Sequence, residues 1–205
     1  MFFVNQFDTS SISIIYSPWI FYGDYYNMKK KNLNIQELCV IGLTTAIICI
    51  MAPFSFPLPS GVPMTLQTFS IALIAIVLGA KRGAIATLIY ILLGALGLPV
   101  FSGFTGGWQI IIGPTGGFIL SFPIMAYLIG LGMEHRSRYK GSLFIGVIIG
   151  NIINLIFGTI IFCFLSGVTF ATGFTTCVLP FLPITILKMT LAWMIGLNIK
   201  ARLVD

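Results

Sequence analysis

Six apolar runs, each near the roughly 20 residues that span about 30 Å of hydrocarbon, take up most of this chain. They lie at about 37–54, 64–80, 84–98, 117–133, 142–165 and 176–197. Backbone in hydrocarbon has no water to bond, so such runs fold as helices that satisfy their own N–H and C=O groups. The fold class that follows is an all-α integral membrane protein, one bundle of six transmembrane helices. Charge agrees with this: only 8% of the residues are Asp, Glu, Lys or Arg, against about 25% in soluble domains. Mean hydropathy is +1.04.

The basic residues predict the orientation. Lys29, Lys30 and Lys31 precede the first run, and Lys81 and Arg82 lie between the second and third. Arg136, Arg138 and Lys140 lie between the fourth and fifth, and Lys200 and Arg202 follow the sixth. The connections 55–63, 98–116 and 166–175 hold no Lys or Arg. Every basic cluster then falls on one side, which the positive-inside rule makes cytoplasmic. The expectation is a multi-pass protein of the bacterial plasma membrane with both termini inside. Placed this way, the net charge of +6 belongs to membrane loops and does not point to nucleic acid.

Residues 1–27 read differently. They hold no Lys or Arg, so they lack the basic region of a signal peptide. At Met28 the text becomes MKKKNLNIQEL, a normal start for a membrane protein with a basic amino terminus. We therefore divide the chain into a non-native or disordered extension, 1–27, and a six-helix domain, 28–205. The rival reading of the extension is an interfacial segment over 12–26, with Trp19, Tyr22 and Tyr25 at headgroup depth. The cysteines, Cys39, Cys49, Cys163 and Cys177, have no metal or redox spacing and read as small hydrophobes.

Between the third and fourth runs stands GLPVFSGFTGGWQIIIGPTGGF, residues 97–118. Glycine at this density permits positive φ and close backbone approach, and Pro99 and Pro114 argue against one continuous helix. A loose linker would carry charges, and this stretch has none. The expectation is an ordered glycine-rich extracellular loop folded on the bundle, with backbone N–H groups open to a ligand. A tight connector without a ligand is the other reading.

One basic residue departs from the loop pattern: Lys188, in the middle of the sixth run. A lysine there costs roughly 2.5–3.5 kcal/mol on insertion scales and needs a partner or a wet cavity. The runs contain no acid except Glu37, at the edge of the first. A ligand bringing a carboxylate or carbonyl would serve; snorkelling to an interface is the alternative. Gln67 begins the second run, either lining an outer cavity or capping a helix. Gly42 and Ala46 form a small-xxx-small step for close helix packing. No GxxxxGK[ST] phosphate loop, HExxH or GxSxG occurs. No catalytic residue, metal site or cofactor is expected.

The stretches PMTLQTF (63–69), LGAKRGA (78–84), LGLPVFSGFTGG (96–107), GPTGGF (113–118) and PFLPITILK (180–188) resemble the BioY proteins. These are the biotin-specific substrate-binding components of energy-coupling factor transporters. The resemblance runs from Met28 to the carboxyl terminus. It implies capture of biotin from outside by a protein without its own ATPase. A transmembrane T protein and ABC-type ATPases would supply energy, with Gly42 and Ala46 on the docking face for the T protein. The resemblance carries ligand contacts to Thr105, Thr185 and Lys188; with the residue reading above, the expected ligand-binding set is Gln67, Thr105, Gly106, Gly107, Trp108, Gly116, Thr185 and Lys188, an apolar ring such as Trp108 packing on the bicycle. The chain departs from the family at two of these. Thr185 stands where an acid is usual, and Thr105 where some relatives carry asparagine. A paralogue with another vitamin ligand, or with a docking role alone, is the alternative.

Overall fold

The computed structural model describes residues 35–56 and 62–204. The extension 1–27, the start at Met28 and the Lys29–Lys31 cluster lie outside the described residues. Helix α1, Ile35–Met51, stops just before Pro53, and a two-residue antiparallel ladder follows, β1 Ser55–Phe56 against β2 Met64–Thr65. Helices α2, Gln67–Leu78, and α3, Ala80–Ala95, are separated by Gly79 alone. After α3 come a 3-10 turn, Ser102–Phe104, and the short helix α4, Trp108–Ile111. The remaining helices are α5, Gly116–Glu134; α6, Ser142–Ser166; α7, Phe170–Cys177; and α8, Leu182–Val204.

The chain is thus a mostly helical membrane protein. Gly116–Glu134, Ser142–Ser166 and Leu182–Arg202 are long and apolar enough to cross a bilayer. The 17, 12 and 16 residues of α1, α2 and α3 make shorter helices. Several boundaries differ from the sequence expectation for physical reasons. The run 84–98 becomes helical already at Ala80, ahead of Lys81 and Arg82, because the Glu134 carboxylate accepts from the Ala80 N–H at 2.8 Å. An acid at a helix amino terminus offsets the unfavourable basic pair there. The run 176–197 divides instead: the chain turns after α7, and α8 starts with Pro183 in its first turn, where a missing N–H does no harm. The connection expected at 166–175 accordingly contains most of α7.

Contacts sort the connections into two groups. Segments 52–66 and 97–115 meet through Gly103 N–H donating to Pro53 O at 2.9 Å and an edge-on pair of rings, Phe54 and Phe104. The opposite end is tied by Glu134 to Ala80 and by Lys200 Nζ to Ile76 O at 3.4 Å. Arg82 pairs with Glu37 at 2.7 Å across α3 and α1.

Helix α6 shows which surface faces lipid. Its buried positions are Leu143, Gly146, Val147, Gly150, Asn151, Asn154, Gly158 and Thr159, mostly small or polar. Its exposed positions include Phe144, Ile145, Ile148, Ile152, Ile156 and Ile160. Small residues inside and bulky apolar ones outside are the pattern of helices packed in a bilayer. The seam with α5 is tight: a Cβ on Gly146 would stand 2.6 Å from Leu128 O, and one on Gly132 2.6 Å from Ser142 O. Both are backbone atoms, which cannot swing aside. Gly146→Val should therefore cost about 1–3 kcal/mol through overpacking, read as a lower thermal midpoint in detergent. Gly141→Ala, with open space around its Cβ, should leave that midpoint unchanged.

Candidate functional site

A cavity of about 250 Å³ opens between the two halves of the bundle, near the lower end of small-molecule sites at about 300 Å³. One wall comes from β2, the start of α2 and the start of α8: Thr65, Gln67, Thr68, Phe181, Thr185 and Lys188. The facing wall comes from α5 and α6: Phe118, Ile119, Phe122, Asn151, Asn154 and Leu155. Segment 101–115 closes the space with Phe101, Ser102, Thr105, Ile110 and Thr115.

Lys188 sits in this cavity at 9% exposure. Its Nζ donates to Thr68 Oγ1 at 2.9 Å and to Thr65 O at 3.1 Å. An ammonium has three N–H bonds, so one is left. Among the described residues no carboxylate pairs with it. The position disposes of snorkelling, since the stem ends in a polar niche of the bundle and not at its surface. Thr185, half-buried, is three residues earlier on the same helical face.

Gln67 lines the cavity, but its amide is tied into the protein. Its Oε1 accepts from Thr65 Oγ1 at 3.1 Å, and its Nε2 donates to Tyr90 Oη at 2.7 Å. Tyr90 Oη in turn donates to Val100 O at 3.1 Å. This chain joins β2, α2 and α3 to the start of the glycine-rich segment. Phe101 is fully buried against Tyr90, ring edge to ring face with centroids 5.7 Å apart, where Gly94 leaves room for it. The loop is therefore fastened from below.

The glycines serve that closure. Gly107 has φ 102 and its N–H donates to Gly94 O at 2.7 Å. A Cβ on Gly106 would run into Leu98 O, and one on Gly116 into Ile111 O. The N–H groups of Gly103, Gly107, Gly113 and Gly116 all donate within the protein. They are not open to a ligand: Gly113 and Gly116 close turns of the segment, Gly107 ties it to α3, and Gly103 ties it to the connection after α1. Gly106, Gly107 and Gly116 thus shape the loop without lining the cavity, whereas Thr105 lines it.

Trp108 is 61% exposed at the first position of α4 and does not line the cavity. The rings that do are Phe101, Phe118, Phe122 and Phe181. Sequence reasoning favoured the larger aromatic. It also missed Thr65 and Thr68, polar partners on either side of Gln67, and the two asparagines of α6. The segment GNIINL had offered a signal: two amides three residues apart in an otherwise apolar run. Gly42 and Ala46 lie on an exposed face of α1, and a Cβ on Gly42 would touch nothing.

Tyr90→Phe should leave Gln67 Nε2 and Val100 O unpaired in a buried site, at about 1–3 kcal/mol. The expected readout is a lower thermal midpoint together with faster amide exchange over residues 97–107.

The sequence pattern of the BioY family matches residues 28–205. The chain is 38% identical over 168 residues to the biotin transporter BioY2 of Lactococcus lactis subsp. cremoris, covering 82% of this chain and 91% of that protein. It is 37% identical to the biotin transporter BioY of Thermotoga maritima, covering 81% and 96%. Among solved structures, the S-component for biotin from an ECF-type ABC transporter superposes with a TM-score of 0.74 at 27% identity, covering 84% of this chain and 94% of that one.

Proposed function

The chain belongs to the BioY family, and we propose that it is the membrane subunit that captures biotin for an ECF-type ABC transporter. The observation that carries this reading is the cavity around Lys188: apolar walls, a few placed polar groups, and a buried ammonium with an N–H left over and no carboxylate beside it. Biotin combines an apolar bicycle with a carboxylate and a urea carbonyl, either of which an ammonium can hold. Thr185 and Thr105 offer hydroxyls in place of an acid and an amide.

The finer parts of the reading have separate support. Six crossings would put segment 97–115 outside and both termini in the cytoplasm; the basic residues Lys81, Arg82, Arg136, Arg138, Lys140, Lys200 and Arg202 at one end of the bundle favour it. Residues 28–205 would form the working domain, with 1–27 an extension to it. A T protein would dock on the exposed face of α1 at Gly42 and Ala46, and ABC-type ATPases would supply energy. The likeness to an S-component favours both partners.

Two experiments test this. Titrating the full chain in detergent with biotin should give saturable binding. Lys188→Ala should weaken it at least about thirtyfold, the scale for truncating one side of a buried charged pair. Biotin binding that ignores this substitution would remove Lys188 from the site. For orientation, the four native cysteines would be replaced and single cysteines introduced. Trp108→Cys should react with a membrane-impermeant maleimide added to intact cells, and Ser137→Cys only after lysis. The reverse order would invert the assignment.

A further inference from the structure

The α2–α8 wall supplies donors to the cavity; the α6 wall offers the opposite polarity. Asn151 and Asn154 both line the cavity and are 9% and 3% exposed. The orientation of each amide is set by a backbone carbonyl, which can only accept. Asn151 Nδ2 donates to Val147 O at 2.8 Å. Asn154 Nδ2 donates to Phe118 O at 3.0 Å and to Ser121 Oγ at 2.7 Å. Each Oδ1 is therefore turned away from those partners. Among the described residues neither Oδ1 accepts a hydrogen bond, and neither is sealed off; the one sealed and unpaired side-chain atom is Thr159 Oγ1. The open side of two such buried, cavity-lining residues is the cavity itself.

We propose that Asn151 and Asn154 are specificity-determining contacts, whose Oδ1 atoms accept hydrogen bonds from two ring N–H groups of the ligand. The proposal rests on the biotin-capture reading and deepens it by assigning the ligand's cyclic urea to the α6 wall. Bare acceptors in an apolar cavity are costly until a donor meets them. A cationic donor is disfavoured, because Lys188 lines the same space. Neutral N–H groups remain. Positions three apart on a helix hold their Cβ atoms about 5–6 Å apart, a span suited to two N–H bonds diverging from one urea carbon. Because α8 packs on α2 and α6 on α5, the Lys188 donor and the asparagine acceptors enter the cavity from different sides. A ligand acidic or carbonyl-bearing at one place and N–H-bearing at another satisfies both.

The test is a cycle between ligand and protein, run on the full chain in detergent with biotin and with biotin methylated at both urea nitrogens. In the wild type, methylation should weaken binding about ten- to a hundredfold, the range for leaving buried acceptors unpaired. Asn151→Ala, whose amide otherwise bonds only its own helix, should weaken biotin and shrink that methylation penalty at least about fivefold, since contacting groups are not additive. Asn154→Ala should act likewise, but its amide also braces α5, so Asn151→Ala carries the decision if it fails to fold. The proposal is overturned if the wild type binds the methylated ligand as tightly as biotin. It is also overturned if the penalty is the same in wild type and Asn151→Ala. A wild type that binds no biotin sinks the capture reading, and this proposal with it; a flat cycle with biotin bound sinks the asparagine contacts alone.

Discussion

Backbone polar groups in hydrocarbon have only each other to bond, and the arrangement of this bundle depends on that constraint. Helices meet it by themselves. The nineteen residues from Gly97 to Thr115 connect two such helices, are mostly not helical themselves, and bond back onto the protein. Phe101 N–H donates to Thr105 O, Gly107 N–H to Gly94 O and Gly103 N–H to Pro53 O, at 2.7–2.9 Å. A segment closed in this way commits its Phe101, Gly103 and Gly107 N–H groups to the protein. It roofs a cavity whose remaining walls are side chains from the helices beneath.

Those side chains divide the work by polarity. Lys188 is tolerable inside the bundle because Thr65 and Thr68 take two of its N–H bonds, and because the space beside it is open to an anionic or carbonyl oxygen. Gln67 has a different part: with both ends of its amide engaged, it holds Tyr90 and through it Val100. The lysine faces the contents of the cavity, whereas the glutamine fixes its shape.

Much of this could be read from the chain. The apolar runs lie where the long helices lie, and Lys188 stands out as a charge in the wrong solvent. The family resemblance rested on stretches that converge on the cavity: PMTLQTF, the glycine clusters and PFLPITILK. What escaped was direction. Trp108 and Phe101 are both aromatic and seven residues apart, yet one is exposed and the other fully buried. Non-periodic backbone gives no rule for which way its side chains point. The asparagines escaped because amides blend into an apolar run, and only the face they share with Gly146, Gly150 and Gly158 reveals them as inward. The corner at Gly79, φ 86, was legible only as a break at Lys81 and Arg82, because the basic pair makes the gap in hydropathy while the turn itself is the single glycine just before it.

That corner has a mechanical consequence. At its end of the bundle one residue joins α2 to α3, a carboxylate fastens α5 to α3, and Lys200 reaches back to Ile76 O. The other end joins its helices through the long segments 52–66, 97–115 and 167–181. The molecule is built like a cup with a clamped foot and a jointed lip. With these contacts at the foot and the longer connections at the lip, bending the lip would break fewer of the fastenings described than bending the foot.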